Sequence, residues 1–79
     1  MIVIANIKLK NGVLDPQGKA VHHALDSLGF NEVKDVRIGK QIVLNIDETD
    51  REKAKKRAEF MCEELLANTV IEDYEIEIK

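Results

Sequence analysis

The apolar residues of this chain change their spacing along its length, from every second residue to every third or fourth and back, twice over. That succession of periods constrains the fold more than any single motif. Val3, Ala5, Ile7 and Leu9 alternate with Ile2, Ile4, Asn6, Lys8 and Lys10, the period of a half-buried strand. Asn11-Gly12 breaks it. Asp15-Pro16 then reads as a helix cap followed by proline at the first helical position, where its missing N–H costs nothing. Val21, Ala24, Leu25 and Leu28 keep one side of a first helix over 16–28, and Gly29 supplies its left-handed stop. Two β segments, 33–38 and 40–46, are separated only around Gly39-Lys40 and predict a tight hairpin, with Ile42, Leu44 and Ile46 sharing a face. Thr49-Asp50-Arg51-Glu52 has the capping-box form, with Thr49 as the cap. A second helix carries Ala54, Ala58, Met61, Cys62 and Leu65 at helical spacing as far as Asn68, and Tyr74, Ile76 and Ile78 alternate in a last strand.

The order β-α-β-β-α-β predicts an α+β, ferredoxin-like two-layer sandwich occupying residues 1–79 as one domain. Right-handed crossovers place both helices on one face of a four-stranded antiparallel sheet, with strands one and three in the middle. The other face is left bare.

At 79 residues and 9.0 kDa such a core is small. Phe30, Phe60 and Tyr74 are the only aromatics, so an aliphatic core without a deep pocket is expected. Twelve basic against fifteen acidic side chains, a net charge of −3, argue against a polyanion partner such as nucleic acid. No apolar run suits a membrane span and no secretory pattern opens the chain, so a cytoplasmic domain is the expectation. Cys62, the single cysteine, excludes an intrachain disulfide.

Most candidate chemistry fails on spacing. Between Gly12 and Gly18-Lys19 lie five residues where a phosphate loop has four, and Ala20 stands where a magnesium-binding hydroxyl is needed. Neighbouring His22 and His23 diverge by ~100° on a helix and do not chelate together. Cys62 lies on an apolar stripe without a local base. Asp47, Glu48, Asp50 and Glu52 complement a helix dipole, lacking the order and the glycine of a calcium loop. Lys53, Lys55, Lys56 and Arg57 form a solvated face. Neither catalytic, cofactor-binding nor metal-binding residues are assigned. What remains is the bare sheet face. Ile2, Ile4 and Val43 form an apolar strip there, rimmed by Gln41, Asn45, Arg37, Asp35, Glu75 and Glu77, and they are the candidate self-association face, with Phe60 a further exposed aromatic.

Beyond these patterns, particular runs resemble a known family. Lys10-Asn11-Gly12-Val13-Leu14-Asp15-Pro16-Gln17-Gly18-Lys19-Ala20, then Leu28-Gly29-Phe30 with Val36-Arg37-Ile38-Gly39-Lys40, and finally Met61-Cys62-Glu63-Glu64-Leu65-Leu66-Ala67-Asn68 closely resemble PurS. That is the small subunit of phosphoribosylformylglycinamidine synthase, an enzyme of de novo purine biosynthesis. Thr69 departs from the family, which commonly has proline after the asparagine. The resemblance implies a non-catalytic part of a glutamine-dependent ligase. A PurQ-like glutaminase subunit releases ammonia, a PurL-like synthetase subunit uses ATP and magnesium, and the small subunit binds neither while bridging the two and assisting ammonia transfer. It also implies a homodimer or higher oligomer. Two turns of specific composition are then the candidate partner interface: Leu14, Asp15, Pro16, Gln17 and Gly18 in one, Arg37, Gly39 and Lys40 in the other. The alternative is an ACT-like regulatory module binding an amino acid. An RNA-recognition module would need aromatics on strands one and three, and there are none.

Overall fold

The computed structural model describes residues Met1–Lys79. Strand β1 spans Ile2–Leu9, helix α1 Pro16–Ser27, strand β2 Gly39–Asn45, helix α2 Arg51–Met61, a π-helical turn Cys62–Leu66, and strand β3 Glu72–Ile78. The sheet is antiparallel, as expected, but it has three strands in the order β2-β1-β3 and not four. On its helix side the register stacks Leu44, Val3 and Ile78 in one row and Ile42, Ala5 and Ile76 in the next.

The expected strand at 33–38 is absent, and the hairpin with it. A two-residue hairpin loop needs positive φ, and the residues that have it are Gly12 and Gly29, not Gly39. Gly39 instead opens β2, so close to β1 that a Cβ there would lie 2.7 Å from the Ile7 carbonyl oxygen. The chain runs straight through it. Residues 33–38 bond to α1 and its cap: the Ile38 N–H donates to Asp15 and the Val33 carbonyl accepts from His22.

Helix α1 begins as its sequence demands, with the Asp15 carboxylate accepting from the Gly18 N–H at 2.8 Å and Pro16 in the first turn. It does not join α2 on the sheet. Gly18 is its one buried residue. Residues 10–38 thus form an arm, and the molecule measures 48 × 25 × 14 Å, where strands of this length account for only about 26 Å.

Helix α2 alone covers the sheet, over β1 and β3. Its N-cap is Asp50, which accepts from the Glu52 and Lys53 N–H groups, and not Thr49, whose own N–H is taken by Glu48. Ala54 and Ala58 are fully buried against Val3, their small side chains letting helix and sheet approach closely. A second cluster joins Ala5, Ile7, Cys62 and Ala67. The π-helical turn, closed by the Ala67 N–H to the Cys62 carbonyl at 3.0 Å, corrects the expected stripe. The wider turn delays the helix face by about one residue, so Leu65 is 82% exposed and Leu66 meets the core in its place.

The Glu63 carboxylate of this turn, together with burial and the other nearby negative charge, pushes the pKa of Tyr74 in β3 up to about 12. Tyr74 is the only tyrosine and there is no tryptophan, so the titration is visible in isolation. Absorbance at alkaline pH should show a midpoint near 12 in the folded protein, and Glu63→Ala should bring it towards the ordinary 10. A raised acid pKa stabilises the fold below pH ~10, and that contribution is lost between pH ~10 and ~12. No helix is long and apolar enough to cross a membrane.

Candidate functional site

The two turns singled out by sequence meet at the base of the arm. Asp15 is 4% exposed, and its two carboxylate oxygens are divided between the Gly18 N–H and the Ile38 N–H, each at 2.8 Å. These bonds, the one from Ile38 foremost, hold its carboxyl below the ordinary value against the cost of burial, helped by the Arg37 charge. Arg37 spans the same junction: Nη1 donates to the Val13 carbonyl and Nη2 to the Lys10 carbonyl, each at 3.1 Å, with Nε 4.0 Å from Asp15. Gly18 packs under this knot, where a Cβ would sit 2.3 Å from the Val36 carbonyl oxygen. Further out, the His22 Nε2 N–H donates to the Val33 carbonyl at 2.9 Å and lies 3.8 Å from Asp26.

The structure therefore brings the two sets of candidate residues together and divides them by role. Asp15, Gly18 and Arg37 build the arm, and Gly39 packs against β1. Leu14 (67% exposed), Pro16, Gln17 and Lys40 present their side chains to solvent, Lys40 lying 3.9 Å from Glu72. Sequence reasoning missed His22 as an anchor of the arm; an adjacent histidine pair on an exposed helix carries no signal for it.

On the helix-free face the register sets Val43, Ile4 and Glu77 in one row, Gln41, Asn6 and Glu75 in the next, and Gly39, Lys8 and Asp73 beyond. Gln41 donates to Asn6, and Asn6 to Glu77 at 2.7 Å. Ile2, Ile4 and Val43 do lie together, but Ile4, flanked on both sides at the sheet centre, is only 7% exposed. Ile2 and Val43 are what the patch offers. Of the expected rim, Gln41, Asn45, Glu75 and Glu77 belong here, whereas Asp35 and Arg37 sit on the arm. Phe60 is exposed beneath the Arg57 guanidinium, 5.9 Å from its ring centre. Burial, then Glu63 and Glu59, raise the Cys62 pKa and keep it a thiol, the opposite of an activated nucleophile.

The larger uncovered apolar surface is elsewhere. Val21 and Leu28 of the α1 stripe are 40% and 73% exposed, and Leu25 is half-buried. On the sheet, Ile42, Leu44 and Ile46 are also half-buried, because α2 lies over β1 and β3. The chain exposes 5889 Å², against about 4,900 Å² for a compact monomer of this mass. Its radius of gyration is 15.8 Å, against about 11.6 Å expected for its length.

Comparison with known proteins gives a consistent result. The profile of the family described as PurS, phosphoribosylformylglycinamidine (FGAM) synthase, matches residues 2–79. The phosphoribosylformylglycinamidine synthase subunit PurS of Bacillus subtilis is 58% identical over 73 residues, 92% of this chain and 86% of that protein. The crystal structure of Methanocaldococcus jannaschii PurS superposes with a TM-score of 0.89 at 47% identity, covering 99% of this chain and 94% of that one. A chain of the PurLQS structure from Thermotoga maritima matches at TM-score 0.85 and 34% identity, covering 96% and 94%. Because the arm is more than a third of the chain, agreement at this level requires it to project in a similar way in those structures.

Proposed function

The chain belongs to the PurS family and is a subunit of phosphoribosylformylglycinamidine synthase in purine biosynthesis, and from this premise we propose that it acts as the docking element of that complex. It joins a glutaminase subunit to a large synthetase subunit in the cytoplasm. The synthetase binds ATP and magnesium; this chain holds neither. The observation that carries the reading is the match to a chain of an assembled PurLQS structure, seen together with a surface about 1,000 Å² larger than a compact chain of this mass needs. A standard interface buries about 800 Å² per partner.

Ammonia explains why such an element is useful. Released into water, it would take up a proton and lose its nucleophilic lone pair before meeting the activated amide. Holding two active sites in register and excluding solvent between them keeps it neutral and near. The chain also self-associates, since its uncovered apolar area comprises more than one surface. The exposed members of the two turns, Leu14, Pro16, Gln17 and Lys40, are the contacts to the catalytic subunits, and Asp15, Gly18, Arg37 and Gly39 hold them in place. Leu14→Asp with Lys40→Glu should leave the circular dichroism unchanged and reduce co-purification with the catalytic subunits at least tenfold. Undiminished co-purification would remove these turns from the interface.

A further inference from the structure

We propose that Asn11-Gly12 is a modification site, where the Asn11 side-chain amide is lost without an enzyme and the isoaspartate that results opens the clamp at the base of the arm. This goes beyond the docking role and does not depend on it.

The chemistry needs a backbone nitrogen free to reach the preceding side chain. Before Asn11, the Lys10 N–H donates to the Ile71 carbonyl at 2.8 Å, and after Gly12 the Val13 N–H closes a turn on the Lys10 carbonyl at 3.1 Å. Between them, neither the Asn11 carbonyl nor the Gly12 N–H has a partner within the chain. That one peptide unit can therefore turn while the bonds on either side hold. Both residues are exposed. Gly12 stands at φ 85°, and a Cβ there would meet nothing within 4 Å, so the approach to its nitrogen is open.

The other asparagines lack this combination. Asn6 is held by Gln41 and Glu77, and Asn45 precedes Ile46, whose N–H donates to the Met1 carbonyl at 2.9 Å. Asn31 and Asn68 precede Glu32 and Thr69, whose side chains crowd the attacking nitrogen.

The step balances with water alone. Hydroxide takes the Gly12 N–H proton, and the nitrogen attacks Asn11 Cγ. A C–N bond forms, the Cγ–Nδ2 bond breaks, and Nδ2 leaves as ammonia with a proton from water. One water then opens the cyclic imide. Opening at Cγ gives an ordinary aspartyl chain, and opening at the backbone carbonyl routes the main chain through Cβ and Cγ and frees the α-carboxylate. This second product is the one that reaches the fold. Arg37 bridges the turn, with Nη2 on the Lys10 carbonyl and Nη1 on the Val13 carbonyl, each at 3.1 Å. An extra main-chain atom between those carbonyls moves one of them off the rigid guanidinium fork. The junction that also joins the Ile38 N–H to Asp15 then loses its bracing.

The test ages the full-length chain at mildly alkaline pH, maps amide-to-acid conversion by peptide mass spectrometry and scores isoaspartate by enzymatic methylation. Asn11 should convert at least tenfold faster than any other asparagine, with ammonia released in step, and Asn11→Gln should abolish the fast conversion. Hydrogen exchange at the Val13 and Ile38 N–H groups should accelerate at least tenfold in the isoaspartyl fraction. Asn11→Asp, the same charge on an unaltered backbone, should retain slow exchange. An Asn11 amide that survives as long as the others overturns the site. Equal loosening in Asn11→Asp, or none in the isoaspartyl fraction, overturns the effect on the arm.

Discussion

Reconstituting the synthase without this chain should cut glutamine-dependent amidine formation by at least ~10-fold while ammonia-dependent formation, supplied with ammonium salt near pH 8, continues. The asymmetry follows from what a docking element does. The synthetase keeps its ATP chemistry, and what disappears is the supply of neutral ammonia at high local concentration. Effective molarities for positioned reactants reach 10⁵ M and above, so ~10-fold is a conservative threshold. Restoring the chain should restore glutamine-dependent turnover. Loss of both activities would make the chain a structural requirement of the synthetase, and loss of neither would end the bridging reading.

Replacing Gly18 by alanine should be the most damaging small substitution in the chain. Mid-helix, glycine to alanine ordinarily stabilises by up to about 1 kcal/mol. Here the added methyl would lie 2.3 Å from the Val36 carbonyl oxygen, a backbone atom that cannot rotate away. Residues 36–38 must move off α1, stretching the Ile38–Asp15 bond and the Arg37 bridge. Overpacking of this kind costs about 1–3 kcal/mol. In a chain with 10 buried residues that is a large share of the stability available. Thermal denaturation and sedimentation should both report it, as a lower midpoint and a weaker self-association. An unchanged melting temperature would show that the knot yields freely.

How much of this was legible in the sequence depended on whether the signal was local. Strand β1 and its register partners on β2 and β3 followed from alternation, because a one-residue slip would turn Val3, Ala5 and Ile7 to water. The start of α1 was equally plain, since Asp15 and Pro16 act within one turn. The segment 33–38 misled, because Val36 and Ile38 alternate like a strand, whereas its hydrogen bonds were claimed by Asp15 and His22. Leu65 misled for a different reason. A π-helical turn leaves no mark in spacing, and it exchanged Leu65 for Leu66 at the core. For the candidate site, the two turns that the sequence singled out are joined at one junction. The sequence could not show that Asp15 faces inward, which depends on a backbone N–H from 23 residues away.

The two edges of the sheet are not alike. Along β3, Glu72, Asp73, Glu75 and Glu77 place negative charge at nearly every exposed position, so two such edges laid together would set carboxylate against carboxylate. Along β2, Ile42, Val43 and Leu44 follow one another with Lys40 as the only charge. Sheet growth is therefore insulated on one side alone. A molecule sticky at a single edge terminates in a closed pair, whereas one sticky at both would polymerise into a filament.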